Sequence, residues 1–173
     1  DLFEALNIVL SDYSDRHIFG DIGCYTLGAL PPYNAINTCV DMGASITMAK
    51  GAADAGLHPA VCVIGDSTFT HSGITGLLDA VNDKSPVTVI ISDNFTTAMT
   101  GGQDSAGTNK LFNICKGIGV EEAHIRSFIP LKKHLEENIG ILKSEFEYQG
   151  VSVILATREC IQTAMRKKKE SKK

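Results

Sequence analysis

The chain has 173 residues, enough for one domain with a proper core and too few for two large ones. Its 43% hydrophobic and 21% charged residues are the composition of a globular rather than a disordered chain. The net charge of −4, the confinement of clustered basic residues to the C-terminal end and the absence of any apolar run of membrane-spanning length argue against a nucleic-acid groove or a membrane span.

Residues 1–10 read as a helix, with Leu2, Ala5, Leu6 and Val9 on one face. Residues 11–15 form a polar connection, and 17–23 a short strand running into a glycine turn. Residues 24–37, with Pro31 and Pro32 and no clear period, predict an irregular loop whose length marks it as a candidate functional segment. The stretch 38–56 passes Met42-Gly43-Ala44-Ser45 and continues as a helix whose small residues imply close packing; Gly56 stops it, and His58-Pro59 turns the chain. A strand is predicted over 60–64. A helix follows over 72–81, with Ile74, Leu77, Leu78 and Val81 at i, i+3, i+4 and i+7, and a second strand over 86–92. Residues 95–109 read as a loop rich in Thr, Gly and Ser, 110–117 as a short helix and 120–127 as a strand. A helix with the stripe Leu135, Ile139, Leu142 and Phe146 is predicted over 131–148, then a last buried strand over 151–156.

Strand and helix alternate, and the strands are continuous apolar runs. This predicts a three-layer α/β/α fold with a mostly parallel sheet and right-handed crossovers. The expected division is an α/β domain over 1–157 and a helical or disordered basic tail over 158–173. The start at Asp1 rather than Met, with no signal peptide, fits one domain of a longer protein. The five cysteines (Cys24, Cys39, Cys62, Cys115 and Cys160) contain no C-x-x-C. They predict free thiols in a cytoplasmic protein and no zinc or iron–sulfur site encoded locally.

Two strand ends carry the chemistry. Val61 to Ile64 run into Gly65-Asp66-Ser67, and Val87 to Ile91 into Ser92-Asp93-Asn94. The 25 residues 68–92 between Ser67 and Asp93 are what one helix and a return strand require, so Asp66 and Asn94 are expected at neighbouring or near-neighbouring strand ends facing one crevice. A carboxylate and an amide oxygen, with a backbone carbonyl from the next loop, are hard donors of the kind Mg²⁺ takes. Gly65 lets the backbone approach closely, and the following helix N-terminus offers N–H groups to phosphate. Alternatively, Asp66 caps that helix and Asn94 turns the chain. Cys24 is a packed small side chain or a nucleophile. His71 either bonds a phosphate or substrate carboxylate or caps the helix at Ser72-Gly73. Gln103, in a glycine loop, is a candidate for substrate contact. His17, His58, His124 and His134 read as surface or turn residues, and Glu121, Glu122, Glu136, Glu137, Glu145 and Glu147 as exposed.

Gly65-Asp66-Ser67 and Asp93-Asn94 at this spacing resemble the thiamine diphosphate signature. Asp93-Asn94-Phe95-Thr96-Thr97-Ala98-Met99-Thr100-Gly101-Gly102-Gln103 resembles the 2-oxoacid:ferredoxin oxidoreductases. Gly20-Asp21-Ile22-Gly23-Cys24-Tyr25-Thr26-Leu27-Gly28, Gly65 to Gly73 and Met42-Gly43-Ala44-Ser45-Ile46 are similar to the α subunit of indolepyruvate ferredoxin oxidoreductases. The resemblance implies the diphosphate-binding, C-terminal type of thiamine diphosphate domain. It implies Asp66, Asn94 and the Thr96 main-chain carbonyl as Mg²⁺ ligands, and Ser67 with the amides around Gly65 on the diphosphate. Met99, Thr100 and Gly101 are implied along the cofactor, and Gly23, Cys24, Gly43 and Ala44 around its thiazolium. Ser67 stands in place of the usual third glycine. Gly102 and Thr70 stand where this branch often has His and Phe, which leaves the exact substrate open.

The implied reaction is oxidative decarboxylation of an aryl 2-oxoacid (indolepyruvate-like) to an acyl-CoA, with ferredoxin as acceptor. The cofactor supplies the addition to the keto carbon and the electron sink. The resemblance further implies a separate pyrimidine-binding domain bearing an activating glutamate, iron–sulfur clusters on a ferredoxin-like domain elsewhere, a β subunit and an oligomer. Isolated, the domain is expected to lack turnover. Two other readings stand beside it: a subunit of a non-oxidative thiamine-dependent 2-oxoacid decarboxylase, and a non-catalytic α/β interaction domain. A dinucleotide-binding domain is disfavoured, since no G-x-G-x-x-G follows a strand.

Overall fold

The computed structural model describes residues 1–160 and 163–165. Helix α1 spans Leu2–Leu10, β1 Ile18–Phe19, α2 Ala44–Asp54 and β2 Ala60–Gly65. A helical run then begins at once with α3 (Asp66–Thr68), passes through a π turn at Phe69–Gly73 and continues as α4 (Ile74–Asp83). Strand β3 is Val87–Asp93, and the two-residue strands β4 (Thr96–Thr97) and β5 (Gln103–Asp104) form a small antiparallel ribbon. The chain continues through α5 (Leu111–Ile118), β6 (Ile125–Phe128), α6 (Leu135–Glu147) and β7 (Ser152–Thr157).

Among the described residues, five strands form one parallel sheet in the order β1-β2-β3-β7-β6. The central strands are apolar throughout because both faces are covered. Cys62 and Ile64 of β2, Val89 and Ile91 of β3 and Val153 and Leu155 of β7 face one cluster with α2, α4 and α5. Val61, Val63, Ile90 and Ile154 face the other, against α1 and α6. This is the predicted three-layer α/β/α arrangement. The crossovers through α2, α4 and α5 share one face and step one way across the sheet. The last crossover, through α6, uses the opposite face and steps back, as right-handed connections require.

Several expectations change in detail. Residues 24–37 are not wholly irregular: Cys24–Ala29 is a 3₁₀ helix, closed by Gly23 N–H donating to Thr26 Oγ1 at 3.0 Å. The helix expected over 72–81 is helical from Asp66, because Phe69 alone supplies apolar character before Gly73 and the π turn breaks the 3.6-residue period. The strand expected over 120–127 is only Ile125–Phe128, preceded by a 3₁₀ turn at Glu122–His124. Glu145, expected to be exposed, is 1% exposed at the amino end of the sheet. His124 Nδ1 lies 2.9 Å from its Oε2 and Arg126 Nη1 3.5 Å from its Oε1, while the His124 ring stacks on Tyr148. His124 is thus a turn residue, as expected, that also braces the buried Glu145.

The basic run at 166–173 lies outside the described residues. Just before it, Arg158 N–H donates to Asp93 O at 2.9 Å and Cys160 N–H to Asn94 O at 3.3 Å, so the chain after β7 lies against the end of β3. All five cysteines carry free thiols, and among the described residues no helix is long and apolar enough to cross a membrane.

Candidate functional site

Gly65 pairs with Ser92, so β2 and β3 are nearest neighbours and release Asp66 and Asn94 side by side at the carboxyl end of the sheet. Asp66 is 2% exposed. Its Oδ1 accepts the Ser67 N–H at 2.8 Å, while its Oδ2 is buried without a hydrogen-bond partner. An unpartnered buried carboxylate oxygen is costly, which makes this atom the most demanding group in the cleft. Burial pushes Asp66 up to about 6; the Ser67 N–H and the nearby Ser105 hydroxyl oppose the rise, and the Asp93 carboxylate adds to it. Asp93 is raised as well, by burial first, against the stabilising Phe95 N–H.

The turn after β3 is built by side chains accepting main-chain hydrogens. Asp93 Oδ1 accepts the Phe95 N–H at 3.1 Å, and Asn94 Oδ1 accepts the Thr96 N–H at 3.0 Å. Phe95 takes a left-handed φ of 62° that reverses the chain. A carbonyl oxygen has a second lone pair, so Asn94 Oδ1 retains coordinating capacity. The Thr-rich loop proves to be hydroxyl-braced. Thr96 Oγ1 donates to Gln103 O at 2.9 Å, and Ser67 Oγ and Thr97 Oγ1 share a 2.7 Å hydrogen bond that joins the two strand-end segments.

The facing wall is the 3₁₀ helix at Cys24–Ala29. The Tyr25 ring lies so close to β2 that a Cβ on Gly65 would stand 2.8 Å from its Cε1, which is why the backbone there must be glycine. Between the walls is a cleft of about 220 Å³. Of the predicted residues, Gly23, Cys24, Gly65, Asp66, Ser67, Asn94, Thr96, Met99 and Thr100 line it. Asp66, Ser67 and Asn94 line it together with the hydroxyl residues Thr68, Ser92, Thr96, Thr97 and Thr100, while Ile22, Tyr25, Met42 and Met99 supply its larger apolar side chains.

The other predicted residues stand outside this lining. Gly43 N–H donates to Asp21 Oδ2 at 2.9 Å, and Ala44 N–H to Asp41 O at 3.1 Å, so both serve the start of α2. Gly101, at φ 124°, turns the ribbon. The Gln103 amide is closed on Thr100, donating to Thr100 O and accepting from Thr100 Oγ1, each at 2.9 Å. His71 is exposed in the π turn with its Nδ1 on Ser72 Oγ. Cys24 is exposed, yet its thiol is raised by partial desolvation first and then by its neighbours Cys160 and Asp66, which keeps it protonated and a poor nucleophile at neutral pH.

Sequence reasoning assigned no role to Tyr25, Met42, Thr97 or Asp21. Asp21 had a readable signal, a carboxylate closing a short apolar strand as Asp66 does. The other three had none, since their roles come from segments far apart in the chain.

The donors at the strand ends are a carboxylate, an amide carbonyl and the main chain of the turn. These are hard oxygens that suit a small divalent cation, and the bare Asp66 Oδ2 is the one that needs it. Among the described residues there is no cluster of three His, Cys, Asp or Glu, so a metal held here would depend on the amide and main-chain donors.

Residues 21–154 match the family described as thiamine pyrophosphate enzyme, C-terminal TPP binding domain. Among curated relatives, indolepyruvate oxidoreductase subunit IorA of Archaeoglobus fulgidus is 32% identical over 169 residues, covering 91% of this chain and 26% of that protein. The same-named subunit of Pyrococcus horikoshii is 37% identical over 167 residues, covering 84% and 26%. The chain thus spans about a quarter of the length of the curated relatives it matches. Among solved structures, 2-oxoglutarate:ferredoxin oxidoreductase from Magnetococcus marinus superposes with a TM-score of 0.71 at 15% identity, over 92% of this chain and 60% of that one. Benzoylformate decarboxylase from Polynucleobacter necessarius gives 0.67 at 16%, over 92% and 33%. Both share the fold.

Proposed function

Because the chain belongs to the family of C-terminal, thiamine-pyrophosphate-binding domains of thiamine pyrophosphate enzymes, we propose that it grips thiamine diphosphate by the diphosphate, through Mg²⁺, at the carboxyl ends of β2 and β3. The observation that carries this reading is the buried Asp66 Oδ2, which has no hydrogen-bond partner and stands beside the Asn94 turn. Asp66, Asn94 Oδ1 and the Thr96 main-chain carbonyl hold the metal. Ser67 and the amides around Gly65 meet the diphosphate. Gly23, Cys24 and Met42 flank the ring half of the cofactor, while Met99, Thr100 and Gly101 cover it from the ribbon side, with Gly43 and Ala44 supporting from behind.

Bound thiamine diphosphate supplies the carbon that adds to a 2-oxoacid and the electron sink for loss of CO₂. The chain's own residues would hold the metal that offsets the diphosphate charge, hydrogen-bond the diphosphate, fix its position and present apolar wall residues beside the cofactor. Among the described residues no glutamate lines the cleft, and the reading assigns the activating carboxylate to a separate pyrimidine-binding domain. Ile22 and Met99 line the cleft yet are 43% and 66% exposed, as suits a wall that a pyrimidine-binding domain covers.

For the whole enzyme we infer oxidative decarboxylation of an aryl 2-oxoacid of the indolepyruvate kind in the cytoplasm. The product is an acyl-CoA, and the electrons pass through iron–sulfur clusters of a ferredoxin-like domain to ferredoxin, with a β subunit completing the oligomer. The name shared by the relatives, indolepyruvate oxidoreductase subunit IorA, supports the oxidoreductase class and the indolepyruvate-like substrate of this reading.

Calorimetric titration with thiamine diphosphate, with and without Mg²⁺, tests the site. Binding is expected only with Mg²⁺ and is expected to be lost in Asp66→Ala. Metal-independent binding, or an Asp66→Ala variant that binds normally, would sink the assignment.

A further inference from the structure

One buried carboxylate ties two segments of the cleft wall together without lining the cleft itself. Asp21, just beyond β1, is 0% exposed. Its Oδ2 accepts the Gly43 N–H at 2.9 Å, the Ser45 N–H at 3.3 Å and the Ser45 hydroxyl at 2.7 Å, all at the start of α2. Its Oδ1 accepts the Tyr25 hydroxyl from the 3₁₀ helix, and its main-chain carbonyl accepts the Thr26 hydroxyl. Both carboxylate oxygens are therefore committed, one to each segment.

Burying a carboxylate is expensive, and an apolar contact would join β1 to α2 at lower cost. What the carboxylate adds is direction. Donors from two segments converge on two oxygens, which sets the Tyr25 ring against the Met42–Gly43 turn at one separation. Gly43 is packed closely against the π turn at Phe69–Gly73. It has φ 93°, and a Cβ there would already stand 2.7 Å from Ser72 Cβ. Tyr25, Cys24 and Met42 all line the cleft, with the Tyr25 ring packed over Gly65.

We propose that Asp21 is a positioning residue that shapes the Cys24, Tyr25 and Met42 wall for the ring half of thiamine diphosphate, separately from the metal end at Asp66. This rests on the cofactor reading above, and the test separates the two. Mg²⁺ with thiamine diphosphate and Mg²⁺ with inorganic pyrophosphate are titrated in parallel into the wild-type chain, Asp21→Ala, Asp21→Asn and Asp66→Ala. The wild type is expected to bind thiamine diphosphate the more tightly. Asp21→Ala is expected to lose about tenfold of that margin while holding pyrophosphate affinity within about twofold. Asp21→Asn keeps an acceptor toward Gly43 and Ser45 and offers an N–H to the Tyr25 oxygen, so it is expected to recover most of the margin.

An intact margin in Asp21→Ala overturns the proposal. So does a parallel loss for both ligands, which marks a general structural role, and so does a wild type that binds the two ligands equally. A wild type that binds neither ligand, or an Asp66→Ala that binds both normally, overturns the cofactor reading itself. If Asp21→Ala does not fold, Tyr25→Phe and Ser45→Ala each remove one arm; each is expected to lose part of the margin alone, and no loss in either overturns the proposal.

Discussion

Asp66 makes the stability of the unliganded chain depend on pH in a definite direction. Its carboxyl is raised from the ordinary 3.8 to about 6, chiefly by burial. A group whose folded value lies above its unfolded value contributes stability that is fully present below the unfolded value and lost as pH rises through the folded one. Between pH 4 and about 6 the wild type is therefore expected to lose stability relative to Asp66→Asn. At pH 7 the Asn variant is expected to melt higher by about 2–4 °C, because it removes a desolvated charge. Thermal melts of both proteins across that range, without metal, check this; a lower melting temperature for Asp66→Asn at pH 7 contradicts it. Metal binding needs the ionised form, so Mg²⁺-dependent cofactor affinity is expected to fall as pH drops below about 6. At this scale the sequence was informative where a polar residue ends an apolar run, as at Asp66 and Asn94. It was silent where the partner lies far along the chain. Nothing near Tyr25 announces that its ring will rest on Gly65, forty residues away.

The elements divide the sheet into a working end and a bracing end. At the amino end Glu145 of α6 meets His124 and Arg126, and its main-chain carbonyl accepts the Thr88 hydroxyl of β3 at 3.2 Å. Replacing Glu145 with Ala leaves His124 and Arg126 without their shared partner and opens a buried gap. The expected cost is about 2–3 kcal/mol by denaturant unfolding, with no change in Mg²⁺-dependent cofactor binding at the opposite end. Weakened binding at unchanged fold would show that the two ends are coupled. This part of α6 was misread because its apolar stripe, Leu135, Ile139, Leu142 and Phe146, defined too narrow a face. The buried face also takes in Asn138 and Glu145. A polar residue on an inward face is indistinguishable in sequence from an exposed one until its partners are located. The π turn at Phe69–Gly73 escaped for a different reason: its extra residue per turn shifts the apolar register, so no single period spans Asp66 to Asp83.

For the whole molecule, the alternation of strands and helices was enough to read the layered parallel sheet, because strands covered on both faces have to be apolar throughout. Strand order was not read, since a helix of given length permits more than one neighbour. The composition of β6 and β7 nevertheless explains it. Every residue of β7 but Thr157 is buried and it lies inside the sheet, while β6 exposes Arg126 and Ser127 and forms the edge. The same architecture places Asp66 and Asn94 at the ends of two adjacent strands, and the central proposal is that a metal ion bridges them together with the Thr96 carbonyl. Crystals grown with Mn²⁺ in place of Mg²⁺ and with thiamine diphosphate, measured at a wavelength where manganese scatters anomalously, locate that ion. The account predicts one peak about 2.1–2.2 Å from Asp66 Oδ2, Asn94 Oδ1 and the Thr96 carbonyl, absent from Asp66→Ala. A peak at other donors, or cofactor density with no metal between these three oxygens, would contradict it.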